Sequence, residues 1–594
     1  MRMRTRALTL TVLVLGALCA GAASATADDD GGGAPSLPHS AHGQQAIELL
    51  GDRLDEAAAL SDWTPPQLRE VLATDPTAWV DRDGRVFYKE VTALGDEPDA
   101  YDSADAPPFP LDQTFLLHSN PASTKKLFID FDGTTVSGTR WNTNYALPNG
   151  SYPAWDPDGN GEAFTDGEKE SIQTIWQRVS EDYAPFGVDV TTEDPGEAGL
   201  LRTNASDQAY GTRALVTPST VAEGAICGTP VPSCGGVAYI NVFGQTEPDG
   251  SSHQPAWVFP QSLSQNPKNI AEAVAHEVGH NFSLQHDGVT TASAQSVLPK
   301  CATVTGYYCG HAQWAPIMGV GYYKPVVQWS KGEYASANNT SQDDVSLIAG
   351  KAPYRADEND GTIPGAGVVL PTAAPARITT RTDTDTYLLG TCSGPVTVTA
   401  TPWPLSPNLD IKLDLLTAGG AVQTSADPAA TMVDTETASG LDAAISTSVP
   451  TGVYYARVDG VGIGTGATGY TDYASIGSYT LAATGCAILP PPPPVSAPGA
   501  PAVIKVAKGK KGGKKTASVA WAAPASTGGT PITGYRVTVL KAKNGKVVRT
   551  ANVAAGVTSY VAKKLKSGKY RFAVVALNAV GASPQALSKA VRAR

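Results

Sequence analysis

The chain has 594 residues, more than one hydrophobic core supports, so three or more folded units are expected. With 42% hydrophobic and 17% charged residues it is globular rather than intrinsically disordered. Its net charge of −12 is uneven: from Ala497 onward there are 19 Lys and Arg and no Asp or Glu, leaving −31 on the rest, which points to modules with separate partners.

Arg2, Arg4 and Arg6 precede an apolar run from Ala7 to Ala20, and Ala25-Thr26-Ala27 supplies an A-x-A site. Residues 1–27 therefore read as a secretory signal peptide cut after Ala27. The run is shorter than the ~20 residues that span a bilayer. Bulky Leu18 before Cys19 argues against lipoprotein processing, and no later segment is apolar enough to span. The expectation is a secreted, extracellular protein with no membrane span.

Residues 28–120 carry amphipathic helical patterns at Gln44–Leu60 and Pro66–Ala73, then a stretch rich in Asp, Ala and Pro from Asp96 to Pro110. Their place between the leader and a more ordered region predicts a pro-segment. In residues 121–352, Leu127 to Phe131 reads as a strand. Thr165 with Glu168 forms a capping box ahead of Ile172, Ile175, Trp176, Val179 and Tyr183 at helical period. Strand-like runs follow at Val188–Thr192, Ala214–Val216, Val237–Phe243 and Trp257–Phe259. Asn266-Pro267 then opens a second helix, with Asn as N-cap and Pro at the first helical position.

Residues 363–487 change character. Val396, Val398 and Ala400 alternate with Thr, and Leu409, Ile411, Leu413 and Leu415 with polar residues, a period of two that predicts an all-β sandwich. Residues 488–497 hold a proline run, Pro490 to Pro494, that acts as a stiff extended linker. Residues 498–594 again alternate as strands. Six cysteines follow the leader: Cys227, Cys234, Cys301, Cys309, Cys392 and Cys486. An even number in an exported chain favours disulfides, and one bridge per neighbouring pair is the simplest of the fifteen arrangements. The lack of any C-x-x-C pair argues against a Cys-ligated zinc.

The chemistry lies in His276-Glu277-Val278-Gly279-His280-Asn281-Phe282-Ser283-Leu284-Gln285-His286-Asp287. On a helix His276 and His280 sit one turn apart, so both imidazoles leave one face and can share a Zn2+ ion. Zinc lowers the pKa of a bound water to about 7, so Glu277 beside it can act as general base and pass the proton to a departing amine. No carboxylate occurs between Gly288 and Gly332, which leaves His286, Asp287 and His311 as candidates for the third ligand.

His286, ten residues after His276, makes the stretch resemble the H-E-x-x-H-x-x-G-x-x-H signature of the metzincin clan of zinc endopeptidases, with His276, His280 and His286 as ligands. Ser283 stands where that signature has Gly, a position whose positive φ costs a residue with a side chain roughly 1 kcal/mol or more. Ile317-Met318-Gly319 resembles the clan's methionine turn, and the resemblance puts Tyr322 or Tyr323 near the oxyanion. It is closest to reprolysin-like bacterial members. By that analogy Gly236, Val237, Ala238 and Tyr239 form the edge strand that pairs with substrate. Cys227 with Cys234 would tie the loop before that strand, and Cys301 with Cys309 the loop before Met318. The fold implied is an α/β catalytic domain with a twisted mixed sheet and zinc in its cleft, followed by two all-β sandwiches. A zymogen is expected, and without a Cys in residues 28–120 its latency cannot rest on a thiolate.

The first sandwich resembles bacterial pre-peptidase C-terminal domains through Asn408-Leu409-Asp410 and Gly452 to Val458. The last unit resembles fibronectin type III through Trp521, Gly534-Tyr535-Arg536-Val537 and Tyr570-Arg571-Phe572. Asp156 to Gly161 matches half of an EF-hand loop, but Gly167 holds the twelfth position and Glu168 comes one late, so Ca2+ competes there with a solvated turn. The expected partners are protein or peptide substrates and no nucleic acid. The Lys508–Lys515 cluster adds an anionic cell-wall or matrix polymer. The rival function, an adhesive protein with an inert protease domain, is disfavoured by the intact Glu277.

Overall fold

The computed structural model describes residues 35–90, 107–161, 163–291, 306–359, 361–363, 375–487, 495–512 and 515–594. The expected leader, most of the Asp96–Pro110 stretch, Cys301, the proline run and Lys514 lie outside the described residues.

After a two-residue strand β1 (Ala41–His42) the chain forms α1 (Gly43–Leu50), α2 (Leu54–Leu60) and α3 (Pro65–Thr74). The single helix expected over Gln44–Leu60 is broken because Gly51 takes φ 52° and ψ −123°, outside the helical region. α3 starts at Pro65 under a capping box made by Thr64 and Gln67. A hairpin of β2 (Ala78–Val80) and β3 (Val86–Lys89) follows, its turn held by Asp81 Oδ1 accepting from the backbone N–H groups of Asp83 and Arg85, each at 2.9 Å.

These three strands are the outer part of one eight-stranded sheet. Its remaining members are β4 (Lys125–Asp130), β5 (Asp189–Thr191), β6 (Tyr210–Val216), β7 (Gly236–Tyr239) and β8 (Ala256–Val258). The order is β1-β2-β3-β7-β8-β6-β4-β5. β8, β6, β4 and β5 run parallel, whereas β7 is antiparallel to both neighbours. The expected substrate edge at Gly236–Tyr239 is not an outer edge of this sheet: β3 lies along it, with Phe87 opposite Tyr239 and Lys89 opposite Val237. The N-terminal unit is thus built into the same sheet as β4–β8. Its cluster includes Ile240, and Phe87 packs with Val237, Tyr239 and Trp257.

Alternation along the strands separates two faces. Leu127, Ile129, Ala214, Val216 and Val258 face α4 (Asp166–Asp182) and α5 (Pro267–Asn281), while Leu215, Trp257 and Tyr239 face the other way. α4 begins with the expected Thr165–Glu168 capping box, and Asn266 caps α5 by accepting from Asn269 N–H at 3.1 Å. All of α5 is buried. The 3₁₀ turn Leu111–Leu116 already packs on α4, through Gln173 to Phe109 and Thr114, so the catalytic body starts before residue 120.

The expected sandwich contains an antiparallel six-stranded sheet with two long central strands, Thr384–Pro402 and Ala443–Gly460, bent where the register shifts between Leu388 and Gly390 and between Cys392 and Gly394. Cys392 is bonded to Cys486 and Cys227 to Cys234; Cys309 is also disulfide-bonded. The boundary drawn between residues 352 and 363 is not a break in the core. One hydrophobic cluster runs from Val274 and Trp329 through Ile348 to Leu409 and Ile476. Polar groups cross it too: Ser478 N–H donates to Glu181 Oε1 at 2.8 Å and Asn408 Nδ2 to Asp182 Oδ1 at 3.0 Å. The last unit instead has its own cluster around Trp521, Tyr535 and Phe572. Among the described residues no helix is long and apolar enough to cross a membrane.

Two outcomes follow from this shared core. A chain ending at Ala487 should unfold cooperatively at nearly the midpoint of the full chain's main transition. One ending at residue 359 should fail to fold, because Trp329, Glu181 and Asp182 lose their cover; calorimetry of the two truncations checks this. Burial, only partly offset by Ser478, raises the Glu181 carboxyl to about 8. The native state then holds a proton that the unfolded chain releases near pH 4.5, so this group's contribution to stability is lost as pH rises from about 4.5 to 8. Glu181→Gln should weaken that decline in denaturant titrations at pH 5 and 8.

Candidate metal centre

α5 ends in a turn that aims the third histidine. Leu284 N–H donates to Gly279 C=O at 3.1 Å and Ser283 N–H to His280 C=O at 2.8 Å, the paired bonds of a Schellman cap. Ser283 sits at φ 82°, the left-handed conformation that Gly adopts at low cost. Its hydroxyl donates to Asn241 Oδ1 at 2.8 Å, which offsets part of the strain. The turn survives the departure from Gly and carries the chain back to His286.

Three ring nitrogens converge because the opposite nitrogen of each imidazole is engaged. His276 Nδ1–H donates to Ile317 C=O and His280 Nδ1–H to Leu284 C=O, both at 2.8 Å. His286 Nδ1–H donates to Asp75 Oδ2 at 2.7 Å. Each Nε2 therefore points inward. The Nε2 atoms of His280 and His286 stand 3.1 Å apart, and His276 Nε2 is buried without a hydrogen-bond partner. A proton on His286 Nε2, stabilised by Glu90 Oε1 at 2.8 Å, or a cation held at the centre relieves the repulsion of lone pairs at that range. Tetrahedral Zn–N bonds of ~2.05 Å would separate ligand nitrogens by about 3.3 Å. The donor set therefore fits zinc. With Glu90 the three histidines offer ligand atoms all within 4.8 Å of one another.

Electrostatics sharpen the picture. Burial lowers the pKa of His280 to about 3, which keeps it neutral, as a ligand must be. For His286 burial is overridden by the carboxylates of Glu90 and Asp75, which raise it to about 10, so a metal at Nε2 competes with a proton there. Glu277 is fully buried, both its oxygens lack partners, and burial followed by the charge of Glu90 pushes its carboxyl well above the ordinary range. β7 runs directly against it: a Cβ at Gly236 would lie 2.1 Å from Glu277 Oε1, so only Gly fits. Met318 is fully buried beneath the histidines, and a Cβ at Gly279 would fall 2.5 Å from its sulfur.

The other expected residues divide. Tyr322 is partly buried and lies within electrostatic reach of Glu90 and Glu277, and Tyr323 packs against its ring at 6.4 Å. Asp287 is not in the ligand cluster; its backbone bonds to Met318 and Tyr308. His311 lies apart, with Nδ1 at 2.8 Å from Tyr308 Oη and Nε2 at 2.7 Å from Gly469 O. Asp156, Asp158 and Glu168 offer oxygens within 4.8 Å of one another, although Glu168 Oε2 already accepts from Thr165 N–H and Oγ1–H. Sequence reasoning missed Asp75, Tyr88, Glu90 and Tyr307. The Tyr88 ring stacks on His280 at 4.3 Å, and Tyr307 lies 4.4 Å from the His286 ring. Val86-Phe87-Tyr88 has strand composition, which is a signal for the hairpin but not for its docking.

Two family models match the chain: residues 195–287 match the reprolysin-like metallo-peptidases of family M12B, and residues 502–592 match the fibronectin type III domain. The chain carries a reprolysin-like metallopeptidase domain. The match includes His276, Glu277, His280 and His286 and stops at Asp287, short of Met318. No curated protein matches. Among solved structures, domains d3-d4 of the rat CD45 extracellular region share 20% identity over 16% of this chain and 51% of theirs, with a TM-score of 0.14. Titin kinase and its flanking domains share 26% over 16% of this chain and 17% of theirs, at 0.15. The FN5 domain of Drosophila Lar shares 20% over 16% and 96%, at 0.13. This chain spans about half of the CD45 chain and about a sixth of the titin chain.

Asp75 fixes the tautomer of His286, and such supporting carboxylates are worth about 10–100-fold in metal affinity. Asp75→Asn should weaken zinc binding by that range in a chelator competition, whereas His286→Ala should abolish stoichiometric zinc.

Proposed function

We propose that the protein is a secreted zinc metalloendopeptidase of extracellular proteins, with His276, His280 and His286 as ligands and Glu277 as general base. The observation that carries the reading is the inward convergence of three Nε2 atoms beside a buried carboxyl whose two oxygens have no partner. A zinc ion held by the three histidines would supply Lewis acidity, lowering the pKa of the attacking water to about 7 and polarising the scissile carbonyl.

The chain's own groups do the rest. Glu277 takes the proton of the attacking water on a carboxylate oxygen and delivers it to the amide nitrogen as the C–N bond breaks. The absence of a side chain at Gly236 makes room for that carboxylate against β7, and an extended substrate is assigned to the edge Gly236–Tyr239. Met318 and the carbonyls of Ile317 and Leu284 hold the imidazoles in place and keep their Nδ1 protons away from the metal face. Tyr322, within electrostatic reach of Glu90 and Glu277, is assigned to the oxyanion as a phenol donor. The run of Arg2, Arg4 and Arg6 ahead of the apolar stretch Ala7–Ala20 is what supports export in this reading.

Phenanthroline should abolish casein hydrolysis by the processed secreted protein, and added zinc should restore it. In Glu277→Ala, kcat/KM should fall about 10²–10⁴-fold with zinc content unchanged. Equal rates for the variant and the wild type would exclude an enzymatic role for this site.

A further inference from the structure

We propose that residues Val86–Glu90 are an internal inhibitor of the metal centre: the strand fills the substrate's place on Gly236–Tyr239, and the Glu90 carboxylate takes the open coordination position. The inference rests on the metallopeptidase reading above and adds the regulation of that site.

Glu90 Oε1 lies 2.8 Å from His286 Nε2, 3.2 Å from His276 Nε2 and 3.5 Å from His280 Nε2, so one oxygen faces all three donors. Its backbone is fixed as firmly. Glu90 N–H donates to Gly236 C=O at 3.0 Å and Gly235 N–H to Glu90 C=O at 2.9 Å, which continues the β3–β7 ladder past Lys89 to the point where β7 meets Glu277. Alternation along the extended chain puts Tyr88 and Glu90 on one side. Tyr88 lies flat on the His280 ring, tilted by 8°, and covers that ring face. The Glu90 side chain is only 12% exposed.

Coordination number decides what this arrangement does. Three protein donors leave zinc an open position and suit catalysis, whereas four close the site as in structural zinc centres. Carboxylate oxygen is an ordinary zinc ligand, so with Glu90 inward the set is His₃Glu and closed. The same strand removes the only free hydrogen-bonding edge of β7, the edge an extended peptide would use. Both blocks come from five consecutive residues of a region that holds no Cys, so a carboxylate does here what a thiolate could not. Activity requires withdrawal of this strand.

The test uses the full chain loaded with cobalt(II), whose visible absorption reports its ligands, titrated with acetohydroxamate, a small chelator that needs only an accessible metal position. Because a closed state reduces apparent affinity by the fraction that is open, the wild type should require about a hundredfold or more hydroxamate than Glu90→Ala to change its spectrum. Glu90→Gln, which keeps the side chain's volume, should behave like Glu90→Ala. Equal titrations in all three overturn the internal inhibitor and leave the metal centre standing. Failure of every form to bind cobalt overturns both the inhibitor and the metallopeptidase reading.

Discussion

Three imidazoles share a small buried volume only because each has its second nitrogen tied to an acceptor outside it. Those acceptors come from three distant places: the Ile317 carbonyl next to Met318, the Leu284 carbonyl in the cap of α5, and the Asp75 carboxylate at the end of α3. Loss of any one would free a ring to rotate, and the lone pairs at the centre would no longer be directed. The positive φ at Ser283, the bare Cα of Gly279 over Met318 and the bare Cα of Gly236 beside Glu277 all serve that one geometric requirement. Backbone approaches this tight leave no room for a side chain, which is why small residues gather around the centre.

The N-terminal unit touches the centre at two levels. Asp75 supports a ligand from behind, and Glu90 meets the ligand atoms from the front. The two carboxylates lie on either side of His286 and together raise its basicity, so metal uptake and protonation are linked there. With one supporting carboxylate at the end of α3 and one facing the ligand atoms just past β3, the surroundings of the centre depend on how this unit docks.

The first β-sandwich is attached differently from the last unit. Buried carboxyls of α4 find their donors in it, and the hydrophobic cluster is continuous across the junction. The sandwich is therefore part of the catalytic body's stability, since buried polar groups without partners cost about 1–3 kcal/mol each. The fibronectin type III unit has a self-contained core and carries the excess positive charge.

What the sequence determined by itself is local. The spacing of His276, His280 and His286, the capping box at Thr165, the cap at Asn266, and the two-residue alternation of the β regions are written in neighbouring residues, because helical and extended periodicities act over a few positions. Glu90 lies 196 residues from His286 and Asp75 lies 211 away, and no local pattern connects them. Their meeting at the ligands, the burial of the expected edge strand under Val86–Lys89 and the merging of two expected domains into one core were decided by tertiary structure. Strand pairing and core packing select partners by shape and hydrogen bonding across space, whatever the distance along the chain.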